Sequence, residues 1–559
     1  MRGSLENNYL GGISMKLKKL LAAGSLLTVV TLTLSACNSQ KTPSSSHKPA
    51  AKQVLNWSLQ TELATLDSVT VTESGSADMI NNSMEGLFVL KHNKPTTGLA
   101  TDTKVSNDGL TYTFTLRKGT KWSNGDPVTA NDFVFAWQRL IDPKNGSLSA
   151  YMYSGIKNAD DILAGKKSPK TLGIKALNDH KLVVTLDKPL PYLKLLLTDV
   201  SFFPQNQRAV EKFGKKYGTS SDTTVFNGPF LLKGWTGSNL NWKLVKNKNY
   251  WNKKHIKLDK INFKVDKSLT TAYDLYQADK VDFTHLSAEQ AKQLAGQPGY
   301  RVLHRAQNTY LKFNEAKKEF QNKKIRQAIS YALDRKQLAD TVVGGGSIPL
   351  TNLVPKGVST FKGKDFATWA KTKVGASYDP KLAHKLLKEG LTEIGEDHFE
   401  FTLLGQDTEI SKKESEFIQS QIEQTLPEIK VQTNNVPIKN QIARGTKGDF
   451  DVALTGWLAD IADPSNFLVI LTKGNSNNMG KYDNPKYNAL MQAAETTDAM
   501  NKDKRFADLI AAAKLLNEDQ PIVPLIQDGT PEMLRPTVHG MVQNTAGLTE
   551  NFRSVYITD

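Results

Sequence analysis

Residues 108–137 read DGLTYTFTLRKGTKWSNGDPVTANDFVFAW, and three structural signals follow one another in this stretch. Residues 112–116 alternate aromatic or aliphatic side chains with threonine, which is the period-two pattern of a strand with one buried face. Residues 123–127 are turn-forming and end in a proline, so we expect the chain to turn there. Thr129 is followed three residues later by Asp132, the spacing of a capping box at a helix start. The stretch therefore predicts a strand, a turn and a helix in succession.

The remaining sequence repeats this mixture of strand and helix patterns. Its 559 residues, 39% of them hydrophobic, suffice for about three domains with cores of their own. Asp379 and Pro380 open a predicted helix that Gly390 closes. The apolar run at 522–526 contains a proline, which suggests an edge strand or a crossing between domains. These patterns predict an α/β protein with helices packed on mixed sheets. Further strands are expected at 182–186, 261–265, 399–404, 429–435 and 450–456, and further helices at 325–333, 411–425, 485–496 and 501–517.

The chain is basic, with 72 Lys and Arg against 56 Asp and Glu and a formal net charge of +16. This balance raises nucleic acid, an anionic surface or an acidic ligand as candidate partners. The most basic tract, residues 242–267, has nine lysines with aromatic residues among them, as some nucleic-acid surfaces do. Its lysines alternate with apolar residues and arginine is absent, which is typical of the solvated face of strands. We therefore expect no nucleic-acid partner.

The single cysteine, Cys37, lies at the end of a segment with the pattern of an export signal. A basic stretch is followed by an apolar stretch shorter than the roughly 20 residues of a membrane span, and then by small residues. Residues 34–37, Leu-Ser-Ala-Cys, resemble the lipobox of bacterial lipoproteins, in which the cysteine is lipidated. We therefore expect a signal peptide with an upstream extension at 1–36 and a lipid-anchored flexible tether at 37–52. The protein should lie at the cell membrane, facing outside the cytoplasm.

Sequence signatures of catalysis and metal binding are absent. No two of the nine histidines lie within four residues of each other, which excludes a local H-E-x-x-H metal pair. The sequence has no G-x-S-x-G elbow, no phosphate-binding loop and no G-x-G-x-x-G fingerprint. A catalytic site assembled only by the fold stays open at this point.

The stretch at 108–137 resembles the signature of bacterial extracellular solute-binding proteins of the oligopeptide-binding family. The resemblance implies a two-lobed, type II periplasmic-binding-protein-like α/β fold with mixed sheets, a hinge of two chain crossings and an extra subdomain. It also implies a monomeric receptor without catalytic activity, cofactor or metal, which captures oligopeptides between its lobes and delivers them to the membrane permease of a peptide ABC transporter. Shorter matching runs lie at 85–87, 227–230, 249–251, 325–329, 333–335, 450–452 and 456–460.

The same resemblance implies a domain organisation in which the first lobe is discontinuous. The two crossings between the lobes are expected near 309–314 and 522–527. The expected boundaries are 53–85, 209–311 and 525–559 for the first lobe, 86–208 for the inserted subdomain and 312–524 for the second lobe.

The resemblance further implies that an extended peptide pairs with two segments of the protein. These are Thr72-Glu73-Ser74 and Gly456-Trp457-Leu458, and Asp460 is the expected partner of the peptide α-ammonium group. Asp463, before Pro464, has the pattern of a turn or helix start instead. Some family members carry a basic residue just before the Gly-Trp pair, but here Ala453-Leu454-Thr455 precede it. We therefore expect a preference for neutral or apolar residues near the amino end, or for longer peptides.

Three other functions stay open. A relative could bind another ligand class, such as a dipeptide, a sugar, a metal chelate or haem. A surface adhesin would use the positive charge, and its binding would collapse between low and physiological salt. A secreted hydrolase with a dispersed site would cleave peptides.

The lipobox generates a prediction about location. Cys37→Ser should release the protein into the medium while leaving the peptide affinity of the body unchanged, because the lipid supplies membrane attachment only. Cell fractionation and immunoblotting measure the release. A variant that stays with the membrane would refute the anchor.

Overall fold

The computed structural model describes residues 48–559, apart from Thr72, Lys373, Ala376 and the side chain of Lys439. Cys37, the predicted signal peptide and most of the predicted tether lie outside the described residues. Among these residues, no helix has the length and apolar character of a membrane span.

Three larger sheets organise the described chain. In spatial order, the seven-stranded sheet contains Tyr300–His304, Gly529–Leu534, Phe283–His285, Val54–Leu59, Lys260–Val265, Asn241–Lys246 and Phe230–Lys233. The six-stranded sheet contains Ile348–Pro349, Ile522–Gln527, Gln307–Phe313, Val452–Leu458, Phe399–Gln406 and Ile429–Val436. The four-stranded sheet contains Ala100–Val105, Thr111–Leu116, Lys181–Thr185 and Ile174–Asn178.

Helices and short hairpins cover these sheets, and the mixture confirms the predicted α/β class. The longer helices are Ser74–Ser83, Ala130–Ile141, Gln207–Phe213, Leu269–Gln277, Ala288–Leu294, Lys323–Tyr331, Pro380–Ile394, Glu409–Thr425, Ile438–Lys447, Pro485–Glu495 and Lys502–Asp519. Shorter helices are Ala159–Leu163, Leu193–Leu196, Lys318–Gln321, Arg335–Gln337, Phe366–Trp369 and Ser465–Leu468, and Leu338–Val343 is a π-helical segment. Two-stranded pairs join Phe88–Lys91 to Lys94–Thr97, Thr360–Phe361 to Lys364–Asp365, Val538–His539 to Tyr556–Ile557, and Val542–Gln543 to Glu550–Asn551.

The strand–turn–helix stretch forms as predicted and belongs to the four-stranded sheet. Tyr112 and Phe114 are buried, and Thr113 between them is half-buried. Thr129 and Asp132 form the predicted capping box, in which the Thr129 N–H donates to the Asp132 carboxylate at 2.7 Å. The helix then buries Phe133 and other apolar residues against the sheet.

The basic tract at 242–267 lies on the seven-stranded sheet. Trp242 and Phe263 are buried and stack on each other with ring centroids 6.0 Å apart. Lys243 and Lys264, on the same strands, are exposed. The alternation of lysine with apolar residues therefore reflects a strand with one solvent-exposed face and one face in the core.

Two sequence expectations are wrong in detail. The helix at Pro380–Ile394 does not end at Gly390 but at Gly395, which has φ +70°. Gly390 lies inside the helix. Glycine is needed there because a Cβ would lie 2.7 Å from the Ile325 side chain, on the helix packed against it. The run at 522–526 is not an edge strand, since Ile348–Pro349 lies outside it. That short strand pairs only with Ile526 and Gln527, so Pro524 has no strand partner on the outer side of its own strand. The Pro524 carbonyl accepts a hydrogen bond from Arg335 Nε at 2.6 Å instead.

The chain passes directly between the two large sheets twice. The first passage is Arg305-Ala306, between the strands ending at His304 and starting at Gln307, and the second is Asp528. The predicted positions, near 309–314 and 522–527, fall mainly on strands of the six-stranded sheet. Gln527, fully buried, joins the passages because its Nε2 donates to Arg305 O at 2.9 Å.

The two ends of the described chain also pair. Ala50 N–H donates to Ile557 O at 2.9 Å, and Asp559 N–H donates to Lys48 O at 3.1 Å. Residues 48–52, which were expected to belong to the tether, are therefore attached to the body.

Motif residues from 85–87, 227–230 and 249–251 meet in one cluster, in which Glu85, Asn227 and Tyr250 are buried. The Asn227 side chain accepts from Glu85 N–H and donates to Glu85 O, both at 3.0 Å. The Glu85 carboxylate accepts from the Tyr250 hydroxyl and from Trp251 Nε1. Burial raises the pKa of Glu85. These motifs lie where the chain leaves the seven-stranded sheet for the residues that form the four-stranded sheet; we call residues 86–208 the inserted segment.

Gly228 in this cluster generates a stability prediction. A Cβ at Gly228 would lie 2.5 Å from the Ser83 carbonyl carbon, a backbone atom that cannot rotate away. Gly228→Ala should therefore lower the free energy of unfolding by about 1–3 kcal/mol. Thermal unfolding measures the change. Gly234→Ala is the control, because a Cβ there meets nothing within 4 Å although its φ of +78° adds some strain. A free energy of unfolding of Gly228→Ala equal to that of the wild type would contradict the steric argument.

Candidate functional site

A cavity of about 300 Å³ lies where three parts of the chain meet; we call it cavity A. It is bounded by the helix start at 73–78, by residues 148–152 and 199–201 of the inserted segment, and by residues 458–460 after a strand of the six-stranded sheet. Glu73, Ser74, Leu458 and Asp460, four of the residues named from the sequence, thus line one cavity. Thr72 lies outside the described residues.

Asp460 is half-buried at the edge of cavity A. The Tyr151 hydroxyl donates to its carboxylate, and Asn466 Nδ2 lies at 3.5 Å from Oδ2. Burial raises the pKa of Asp460, and these two hydrogen bonds oppose the rise. In the described part of the chain, no ion pair includes Asp460. The carboxylate is therefore positioned by neutral groups and has its charge uncompensated.

Cavity A is strongly acidic. Four carboxylates line it, and Arg305 is its one cationic lining residue among those described. Burial raises the pKa of Asp199, and the nearby charge of Asp460 raises it further. Burial also raises the pKa of Asp78, to about 7. A bound cation would relieve this repulsion, so the cavity is suited to a positively charged group. The four carboxylates belong to Glu73, Asp78, Asp199 and Asp460.

Glu73 has a local role that its sequence position did not reveal. It is the N-cap of the helix Ser74–Ser83, and its carboxylate accepts from Ser76 N–H at 2.8 Å. Its own backbone is extended, with φ −133° and ψ 153°. The segment can therefore present backbone groups to a ligand while the side chain caps the helix.

The strand Val452–Leu458 has one open edge. It pairs along its length with Gln307–Phe313, whereas on the other side only Val452 and Ala453 have strand partners. Leu454 O accepts from Gln441 Nε2 at 2.8 Å on this second side. Because backbone groups alternate along a strand, those of Gly456 and Leu458 point the same way. Among the described residues, no strand lies beside them there.

Gly456 and Trp457 are also explained by the protein's own packing. A Cβ at Gly456 would lie 2.5 Å from Asn308 O, so the neighbouring strand already requires glycine. Trp457 is half-buried, and its Nε1 donates to Asn466 Oδ1 at 3.0 Å. Asn466 therefore contacts both the tryptophan and Asp460 and fixes their relative position.

A second cavity, cavity B, of about 600 Å³, lies beside the open edge. Thr455, Gly456, Trp457 and Leu458 line it, and Leu458 lines cavity A as well. The two cavities are therefore adjacent along the strand, and a ligand lying on the open edge would contact both.

Asp463 differs from Asp460, as its position before Pro464 predicted. It is buried, and its two oxygens accept from Arg505 at 2.7 and 2.9 Å. Burial alone would raise the pKa of Asp463, but the charge and hydrogen bonds of Arg505 hold it below the usual value. Ser465 N–H also donates to it at 2.9 Å. Asp463 is therefore a fixed structural anchor.

Known proteins resemble this chain over most of its length. The family model for the middle region of bacterial extracellular solute-binding proteins, family 5, matches residues 94–479. The chain belongs to this family. The dipeptide-binding protein of Lactococcus lactis subsp. cremoris (strain MG1363) is 37% identical, with 97% of this chain and 100% of the relative covered.

Solved structures of family members have the same fold. Listeria monocytogenes OppA bound to peptide is 37% identical with a TM-score of 0.72, covering 91% of this chain and 100% of that one. The periplasmic murein tripeptide binding protein MppA, in its unliganded open form, is 30% identical with a TM-score of 0.79, covering 92% and 99%. The type II periplasmic-binding-protein-like fold expected from the sequence is confirmed.

Several residues around cavity A were missed by sequence reasoning. Asp199 and Tyr151 come from the inserted segment, and Asp78 from the helix after Glu73. Asn466 lies six residues beyond Asp460 without a motif of its own. No local pattern distinguishes these residues, because only the fold brings them to Asp460.

The contrast between the two aspartates generates a prediction. Asp463→Asn should lower the free energy of unfolding by about 3–5 kcal/mol, because Arg505, 4% exposed, would keep its charge without a carboxylate. Since the folded-state pKa is held low, this stabilisation is present at neutral pH and is lost only below about pH 4. Urea unfolding measures it. Asp460→Asn is the matched control and should change stability little; equal losses would contradict these assignments.

Proposed function

We propose that the protein is an extracellular receptor that captures oligopeptides between two lobes and delivers them to the permease of a peptide ABC transporter. It acts by binding and not as an enzyme. The observation that carries this proposal is the open strand edge at Gly456 and Leu458, which leads directly to the unpaired carboxylate of Asp460. The relatives named for dipeptide and oligopeptide binding support the same ligand class.

The open edge suits a ligand whose sequence varies. Every peptide offers the same backbone N–H and C=O groups, so adding it as a strand gives affinity without reading its side chains. The proposed contacts are the Gly456 and Leu458 backbone, the wall of Trp457 and, across the cleft, the segment Thr72-Glu73-Ser74. The cavities beside the strand then leave room for side chains.

Asp460 is the proposed partner of the peptide α-ammonium group. It lies two residues beyond the end of the open edge, in an acidic cavity. Tyr151 and Asn466 orient its carboxylate without neutralising it. A ligand cation therefore meets a preorganised and uncompensated charge, which favours a free amino terminus.

A ligand longer than a dipeptide is favoured by the second cavity. Cavity B, about 600 Å³, continues from Leu458 past the point where the first residues of a ligand would lie. Dipeptide binding, the printed function of the Lactococcus lactis relative, remains the second candidate because that relative matches over nearly the whole chain.

Closure of the lobes is part of this proposal. The TM-score is 0.79 to the open, unliganded MppA structure and 0.72 to peptide-bound OppA, which supports an open state. The two passages at Arg305-Ala306 and Asp528 would act as the hinge. The lobe boundaries at 53–85, 209–311 and 525–559, at 86–208 and at 312–524 are proposed with it, and the proposed tether would end near residue 47.

The proposed cellular setting rests on the sequence. The family is extracellular, and the lipobox supports an export signal at 1–36 and a lipid anchor at Cys37. The protein would act as a membrane-anchored monomer.

The test is removal of the Asp460 charge. Asp460→Asn should weaken binding of a free-amino pentapeptide roughly 100- to 1,000-fold, because the α-ammonium group loses its partner in a closed cleft. Isothermal titration calorimetry measures the affinity. Asp397→Asn, at a side chain 92% exposed, is the charge-matched control and should bind like the wild type.

A pentapeptide with an acetylated amino terminus completes a double-mutant cycle that combines removal of the protein charge with removal of the peptide charge. It has already lost the charge, so wild type and Asp460→Asn should bind it with nearly equal, weak affinity. Full affinity of Asp460→Asn for the free-amino peptide would refute Asp460 as the partner of the α-ammonium group, and Glu73 would be tested next. Failure of every peptide to bind the wild type would refute the function itself.

A further inference from the structure

Cavity B contains two carboxyl groups that the proposed peptide contacts do not use. Glu414 lies on the helix Glu409–Thr425, and Asp528 is the second passage between the sheets. Glu414 is only 7% exposed, and Asp528 is half-buried. Among the described residues, neither carboxyl group has a hydrogen bond or an ion pair. Two buried acids that face an open cavity without partners call for a ligand group.

The electrostatics of these groups support the same conclusion. Burial raises the pKa of Glu414 to about 8, and the charge of Asp528 contributes. Burial raises the pKa of Asp528 to about 6. Lys312 lines the same cavity but donates to Asn477 O at 3.1 Å and forms no ion pair with either acid. Glu414 is therefore mostly protonated at neutral pH, and a cation bound beside the two acids would favour its charged form, because no described cation of the protein pairs with either of them.

The approach to these acids is apolar. Ile438 and Ile442, on the helix Ile438–Lys447, are each 53% exposed, and Ile410 and Leu458 are each 41% exposed. All four line cavity B. Exposed aliphatic side chains leading to buried acids match a side chain with an apolar stem and a cationic tip.

We propose that cavity B is a subsite for a lysine or arginine side chain of the bound peptide, with its stem against these aliphatic residues and its cation between Glu414 and Asp528. This assignment rests on the proposed function. It departs from the neutral or apolar preference that the sequence before Gly456 suggested, because Glu414 and Asp528 lie far from that motif in the chain.

The geometry also restricts where in the peptide this residue lies. If the amino terminus is at Asp460, the ligand passes Leu458 and then Gly456 at about 3.4 Å per residue. Leu458 lines both cavities, whereas Glu414 lines only cavity B. The basic residue is therefore an interior one, following the first residue of the peptide.

The experiment uses alanine pentapeptides with one guest residue, placed in turn at positions two to five. The guest is lysine, norleucine or glutamate; norleucine has a stem similar to that of lysine and lacks the charge. Calorimetry on the full soluble body should give one position at which lysine binds about 10- to 100-fold more tightly than norleucine, as expected for a charge-assisted contact. Glutamate should bind no better than norleucine at that position.

Two variants connect the preference to these acids. Glu414→Gln combined with Asp528→Asn should reduce the lysine preference to less than threefold. The readout is the ratio of the lysine to the norleucine affinity within each protein, because a change in hinge motion would alter both affinities together. Glu416→Gln, on the exposed face of the same helix, is the charge-matched control and should keep the preference. The single variant Glu414→Gln keeps the test available if the double variant does not fold.

Each outcome is decisive. Equal affinities for lysine and norleucine at every position would overturn the basic subsite while leaving peptide binding intact. A lysine preference that survives in the folded variants would also overturn it. A preference for glutamate would assign the cavity to Lys312 instead.

Discussion

The hydrogen bonds of Gln527 join the two places where the chain passes between its large sheets. This buried side chain donates to Arg305 O and Lys356 O, and its Oε1 accepts from Lys356 N–H. Because the passages lie side by side, the strands that leave them lie next to the proposed cleft. Gln307–Phe313 starts at one passage and pairs with the strand carrying the open edge. The position of the proposed binding surface therefore follows from where the chain changes sheets.

The two cavities are lined by acidic residues, whereas the whole molecule is basic. The chain has a net charge of +16, yet cavity A has four acids against Arg305, and cavity B adds two more acids beside Lys312. Burial strengthens these local fields, whereas the surface lysines act through water and salt. The sign of charge that the proposed site favours is thus set by a few buried and half-buried carboxylates, and the overall basicity says little about it.

The sequence predicted elements better than it predicted contacts. Thr129 with Asp132 identified a helix start because both ends of a capping box lie within four residues. Gly390 misled because close helix packing and helix ending both select glycine. Asp460 was identified through a motif, whereas Asp199 and Tyr151 were not, since they reach it from a segment more than 250 residues away in sequence. A single sequence shows patterns between residues that are close along the chain, but it does not show which distant residues the fold brings into contact.

The pairing of the two ends of the described chain has a mechanical consequence. Residues 48–50 are hydrogen bonded to Ile557 and Asp559, on the body built around the seven-stranded sheet. A pull that arrives through residue 48 is therefore transmitted to the carboxyl-terminal segment. It does not enter through Arg305-Ala306 or Asp528. If the protein is anchored through residue 48, as proposed, the restraint would act on this end of the body and not on the two passages, so attachment would leave the proposed hinge motion unhindered.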